Sequence, residues 1–76
     1  MPARRAVVIA GVLTAAGDVL TAVAHATRAV DMAEGRPTAW LADSILAQST
    51  RAGGRSGYDR VASRVAGWPR TLTGPI

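Results

Sequence analysis

The residues best suited to chemistry in this sequence are its single histidine and the polar side chains near it. Asp18, Thr21 and His25 follow one another at steps of three and four, which places them on one face of a helix. A hydroxyl group beside a histidine and a carboxylate is the arrangement that activates a Ser or Thr nucleophile. On a straight helix these side chains form a ridge, whereas catalysis needs groups that converge in a pocket. We therefore interpret these three residues as a polar seam and predict a non-enzymatic protein.

Few residues are of the types that cofactor and metal sites require. The chain has no cysteine, which excludes a disulfide framework, a Cys-ligated zinc site and a thiol nucleophile. Residues 53–57, Gly-Gly-Arg-Ser-Gly, are as rich in glycine as a phosphate-binding loop, but the Walker pattern needs a lysine and the chain has none. We expect no cofactor, no metal ion and no small-molecule substrate.

All nine basic residues are arginines, and their excess lies in the C-terminal part of the chain. Basic and acidic residues balance up to residue 43, whereas residues 44–76 have five arginines against Asp59 alone. The five are Arg51, Arg55, Arg60, Arg64 and Arg70. Guanidinium groups pair well with carboxylates and phosphates, so we expect these residues to face an acidic or phosphate-bearing partner. A solvated basic face and a small nucleic-acid-binding module are the alternatives, although no helix-turn-helix is recognisable.

The elements that must position these residues are helices. Polar residues from Gly11 to Asp31 recur at steps of three and four without the alternation of a strand, which predicts one long helix over residues 5–34. Glycine and proline at residues 35–37 end it, and shorter helices are predicted at 38–51 and 57–67, before an irregular tail. The predicted fold class is all-α, a single small unit divided into residues 1–35, 36–52, 53–57 and 58–76.

The predicted long helix is apolar around most of its circumference, and the chain has few large side chains with which to cover it. Alanine accounts for 16 of the 76 residues, and phenylalanine is absent. We therefore expect other protein subunits to cover the helix, in a homo-oligomer or a larger complex. The residues predicted to pack against those subunits are Val8, Val12, Leu13, Val19, Leu20, Val23, Trp40, Leu41 and Ile45.

A membrane is the alternative cover for this helix. Residues 6–26 are long enough to cross a bilayer, as in a small subunit of a membrane complex or a holin-like pore former. Asp18 would then lie near the bilayer centre, where a charge costs about 2.5–3.5 kcal/mol. A third interpretation is a signal peptide, with small residues on both sides of His25 as the cleavage site.

These observations together predict a small structural subunit. The order of parts, an alanine-rich apolar helix before a basic segment, resembles the layout of small coat proteins of filamentous viruses and of pilins, without a shared motif. We favour a soluble assembly, such as a virion, or an accessory subunit of a larger machine, over the membrane alternative.

Overall fold

The predicted continuous helix over residues 5–34 is wrong. The computed structural model describes residues 2–68, and it has two helices in this range, α1 (Pro2–Ala15) and α2 (Val19–Ala33). The two pack side by side as an antiparallel hairpin, so that residues near the start of α1 lie beside the second half of α2. The first helix is therefore 14 residues long, less than half the predicted length.

Helix α1 ends at Ala15 because Gly17 stops the helix and Asp18 starts the next one. Gly17 has a φ of 88°, in the left-handed region that glycine adopts without steric cost. The Gly17 N–H donates to the Thr14 carbonyl, and the Asp18 N–H donates to the Leu13 carbonyl at 2.9 Å, which together form a Schellman motif. The Asp18 carboxylate then accepts from the Thr21 N–H at 3.3 Å and caps α2.

The faces that α1 and α2 bury are lined mostly by alanine. Ala10, Ala22, Ala26 and Ala29 are all fully buried, at 0% exposure. Small side chains let neighbouring helices approach closely, so many van der Waals contacts replace the few large side chains that the chain has. The two halves of the predicted long helix cover each other along these faces, so this part of their apolar surface is buried within the chain itself.

The remaining helices complete a small bundle. The structure has α3 (Ala39–Ala52), a single 3-10 turn (Arg55–Gly57) and α4 (Tyr58–Ala66), close to the helices predicted at 38–51 and 57–67. Helix α3 packs on α1 and α4, and α4 also packs on α2. The all-α prediction is confirmed for residues 2–68, where no strand occurs. The predicted irregular tail lies outside the described residues.

The ends of α3 follow from local sequence signals. The Thr38 hydroxyl accepts from the Leu41 N–H at 3.3 Å and caps the first turn. At the other end Gly53 has a φ of 64°, and the Gly54 N–H donates to the Ser49 carbonyl at 3.1 Å. This second Schellman motif ends α3 at the glycine pair that the sequence analysis predicted as a loop.

A buried polar cluster joins α1, α3 and α4. The Gln48 side chain donates from Nε2 to the Val7 carbonyl at 3.1 Å, and its Oε1 accepts from the Tyr58 hydroxyl. Gly11 makes room for this amide, because a Cβ at that position would lie 3.0 Å from Gln48 Nε2. Every buried side-chain nitrogen or oxygen in the described part of the chain has a hydrogen-bond partner. The cluster is therefore satisfied, and its directional bonds define how α3 and α4 sit on α1.

We expect Gly17→Ala to lower the free energy of unfolding by about 1 kcal/mol, because an alanine there must adopt a left-handed conformation. No atom lies within 4 Å of the added methyl group, so the effect is one of backbone conformation alone. Gly35→Ala is the matched control, since Gly35 has an ordinary φ and also has open space around it. Urea denaturation measures both variants. An equal effect of the two substitutions would contradict the assigned turn.

Tyr58 makes the free energy of unfolding depend on pH in the alkaline range. Burial raises the pKa of the Tyr58 hydroxyl above its ordinary value of 10.0, although a hydrogen bond with Thr14 lowers it in part. The chain has no other tyrosine, no lysine and no cysteine, so titration in this range reports on one side chain. Because the folded pKa is the higher one, the contribution of Tyr58 is fully present below the unfolded pKa and is lost as pH rises through the folded pKa.

We therefore expect the free energy of unfolding to fall as pH rises above about 10 in the wild type, and to stay flat there in Tyr58→Phe. At neutral pH the variant should be less stable by about 1–3 kcal/mol, because the Gln48 carbonyl oxygen loses its buried donor. Urea denaturation at several pH values gives both results. A tyrosinate absorbance midpoint of the folded protein at or below pH 10 would contradict the burial of this hydroxyl.

Candidate interaction surfaces

The polar seam predicted from the sequence is dispersed by the turn. Asp18 is the N-cap of α2, and its carboxylate binds the backbone of Thr21, whose own side chain is exposed. His25 lies two turns into α2, half-buried against α1. Within residues 2–68 there is no group of three or more His, Cys, Asp or Glu residues that could hold a metal ion. The structure thus places Asp18 in a helix cap, the Thr21 side chain in solvent and His25 in a groove between α1 and α2.

The nine residues predicted to pack against other subunits fall into two groups. Val19, Leu41 and Ile45 are buried in the chain's own core, and Leu13 and Val23 are partly buried against it. These five are covered by the other helices of the same chain. The remaining four are exposed: Val8 by 53%, Val12 by 64%, Leu20 by 73% and Trp40 by 43%.

The most concentrated of these exposed apolar residues form one face of α1. Val8 and Val12 are one helical turn apart, and Ile9, which the sequence analysis did not select, lies between them. We call Val8, Ile9 and Val12 the aliphatic face. The sequence analysis found the predicted long helix apolar around most of its circumference, so the exposed face could not be separated from the buried one until the turn was known.

Two of the five C-terminal arginines are engaged within the chain. Arg64 on α4 reaches α2, where its guanidinium lies 2.7 Å from the Asp31 carboxylate and 3.0 Å from that of Glu34. These hydrogen bonds, with Glu34 the larger contributor, raise the pKa of Arg64, which therefore stays charged. Arg55 donates from Nε to the Ala52 carbonyl at 2.8 Å and helps to close the end of α3.

Of the other three C-terminal arginines, two are exposed on helices and one lies outside the described residues. Arg51 is exposed and lines a shallow groove of about 330 Å³ on α3, together with Trp40 and Asp43. Arg60 is exposed on α4. Arg70 lies outside the described residues. Among residues 2–68, Arg51 and Arg60 are therefore the exposed members of the predicted set for which the structure shows neither an ion pair nor a side-chain hydrogen bond.

An arginine from the N-terminal part of the chain holds Trp40 in place. The Arg4 guanidinium lies over the Trp40 ring, 4.7 Å from its centroid, in a cation–π contact. This contact ties the first turn of α1 to the first turn of α3. Trp40 remains 43% exposed despite this contact.

A second groove runs between α1 and α2, and the sequence analysis missed it. It has a volume of about 300 Å³. Its polar lining residues, which we call the rim, are Arg5, His25 and Arg28, and its apolar lining, which we call the floor, includes Ala6, Ile9 and Met32. We call it the hairpin groove. On a continuous helix Arg5 and Arg28 would lie about 35 Å apart. No local pattern brings them together, because only the turn at Gly17 does so.

Comparisons with protein-family models, with curated proteins and with solved structures found no match for this chain. The membrane-span hypothesis required one continuous helix over residues 6–26, which the turn divides. No helix within residues 2–68 has both the length and the apolar character needed to cross a membrane. The function must therefore be argued from the surfaces described above.

We expect Arg64→Gln to lower the free energy of unfolding by less than about 1 kcal/mol, since its ion pairs are partly exposed. The loss should shrink at high salt, which screens the two carboxylates from the guanidinium. Arg60→Gln is the matched control, because it removes the same charge from the same helix without touching Asp31 or Glu34. Urea denaturation at low and high salt compares the two. Equal losses at low salt would contradict a specific role of Arg64.

Proposed function

We propose that this chain is a small non-enzymatic subunit that assembles with other protein subunits through the aliphatic face of α1. The observation that carries the proposal is the exposure of Val8, Ile9 and Val12, by 53%, 37% and 64%, on one helix face. Single exposed apolar residues are ordinary on protein surfaces, whereas a contiguous group on one face is typical of an interaction site.

The chain's own core does not need these residues. Helices α3 and α4 already cover the buried side of the hairpin, and the buried polar cluster is satisfied. Fully burying one valine or isoleucine side chain contributes about 1.5–3 kcal/mol, and these three, already partly covered, gain a share of that when a partner covers them. They can therefore form the apolar centre of a larger interface. Covering the aliphatic face therefore stabilises an assembly without any rearrangement of the fold.

A second copy of the chain is the partner we propose first. The described part of α1 has two arginines in its first turn and no acidic residue. Two copies of α1 that meet in antiparallel fashion keep these arginines at opposite ends, while Val8 and Val12 of one copy meet the same residues of the other. A parallel arrangement would place like charges together, which opposes association.

The exposed arginines provide a second kind of contact in the same proposal. Arg51 and Arg60 face solvent on α3 and α4, away from the ion pairs that engage Arg64. Guanidinium groups suit an acidic or phosphate-bearing component of the larger assembly, whether that assembly is a virion or another multisubunit complex.

We expect the wild-type protein to sediment as a dimer or larger oligomer, and the double variant Val8→Lys, Val12→Lys to sediment as a monomer with an unchanged circular dichroism spectrum. Two charges in the aliphatic face must be desolvated on association, which opposes it strongly. Ala24→Lys, Ala47→Lys is the matched control, because it adds the same charge at two other exposed helical positions. Analytical ultracentrifugation over a wide range of concentrations measures all three proteins.

Two outcomes would overturn the proposal of self-assembly. One is a wild-type protein that remains monomeric at every concentration. The other is an oligomer that both double variants disrupt equally, since that would assign association to net charge and not to the aliphatic face.

A further inference from the structure

The hairpin groove combines two arginines and a histidine with an apolar floor, and no ion pair or side-chain hydrogen bond within residues 2–68 engages these three side chains. Arg5 projects from α1, whereas His25 and Arg28 project from α2, so the basic groups come from both walls. No acidic residue lines the groove within the described part of the chain. The ion pairs of α2 lie elsewhere, at Asp31 and Glu34, where they engage Arg64.

The charge of the groove selects an anion. Two guanidinium groups on facing helices can both donate to one carboxylate or phosphate head group, and such charge-assisted bonds are the stronger kind. Both guanidinium groups line the same groove, and no acidic residue stands among its described lining, so their like charges repel each other when the groove is empty. An anion between Arg5 and Arg28 removes that repulsion.

The apolar floor and the small volume of the groove favour a ligand whose remaining part is short and apolar. Ala6, Ile9 and Met32 present aliphatic and thioether surface, with Ile9 exposed by 37% and Met32 by 45%. A methionine adapts its shape to an apolar ligand because its side chain is unbranched and flexible. The volume of about 300 Å³ is at the lower end of small-molecule sites, which suits a short apolar chain and excludes a large ring system.

We propose that the hairpin groove binds a small amphiphilic anion, with its carboxylate or phosphate head group between Arg5 and Arg28 and its short alkyl chain along Ala6, Ile9 and Met32. His25, half-buried at the rim, offers a further hydrogen bond to the head group. The hairpin groove shares Ile9 with the aliphatic face. Arg5 and Arg28 line the groove and are not members of that face.

The test uses octanoate and octyl phosphate as probes, because they share one alkyl chain and differ in the head group. Each is titrated below its micelle concentration into the full chain, and two-dimensional NMR follows the backbone amides. We expect saturable shifts at Ile9, His25 and Met32 with at least one probe, and the probe that binds more tightly identifies the head group. Octanol and octyltrimethylammonium, which carry no negative charge, should produce no saturable shift at these amides.

Substitutions locate the binding site. Arg5→Gln and Arg28→Gln should each weaken binding about tenfold or more, because each removes one charge-assisted hydrogen bond. Met32→Glu should abolish binding, since it places a carboxylate one helical turn from Arg28. Arg51→Gln and Arg60→Gln are the matched controls, because they lower the net charge by the same amount at exposed sites outside the groove.

The proposal is overturned if neither anionic probe gives saturable shifts at the groove. It is also overturned if the control variants weaken binding as much as Arg5→Gln and Arg28→Gln do, because the attraction would then be one of net charge. None of these variants alters Val8 or Val12, so sedimentation of the same proteins tests the assembly proposal independently.

Discussion

The close packing of two alanine-lined helices is the interaction on which the rest of the structure depends. Ala10, Ala22, Ala26 and Ala29 are fully buried, although each offers little apolar area by itself. They contribute because they let α1 and α2 approach closely, and the turn at Gly17 is what makes this approach possible. With the hairpin formed, α3 and α4 need to cover only its inner side, which a chain of this length can do.

The same turn determines both proposed surfaces. It places Arg28 and Met32 beside Arg5 and Ile9, which creates a basic groove with an apolar floor. It also separates one face of α1, which meets the core, from the aliphatic face, which does not. The cluster around Gln48 and Tyr58 then fixes α3 and α4 on the opposite side of α1, so that neither helix covers these surfaces.

Local signals in the sequence were sufficient for the second half of the fold. Thr38 after Pro37 marks the start of α3, and the glycine pair at 53–54 marks its end, because capping and left-handed glycines act within a few residues. The turn between α1 and α2 was missed for a physical reason. Asp18 falls on the steps of three and four that the other polar residues follow. It was therefore interpreted as a residue within one continuous helix, although it is the N-cap of α2. Gly17 beside it was the signal that could have separated the two interpretations.

Long-range contacts were outside the reach of any local pattern. Gln48 donates to the Val7 carbonyl, which lies 41 residues away in the sequence, and Gly11 leaves room for the Gln48 side chain. A glutamine and a glycine are common in helices, so neither residue type predicts this hydrogen bond. The intrachain partners of Arg64 and the meeting of Arg5 with Arg28 depend in the same way on where the turn lies. The predicted packing set likewise mixed residues that the chain buries itself, such as Val19 and Ile45, with exposed ones, such as Val8 and Val12, because the position of the turn decides which face is covered.

The distance between residues 5 and 28 tests the hairpin, and with it both surfaces, most directly. Arg5→Cys and Arg28→Cys introduce the only cysteines of the chain, so two spin labels attach at known positions for a dipolar distance measurement. The hairpin predicts labels about 10–20 Å apart, since packed helix axes lie about 8–10 Å from each other. A separation of about 35 Å or more would mean a continuous helix and would contradict the account.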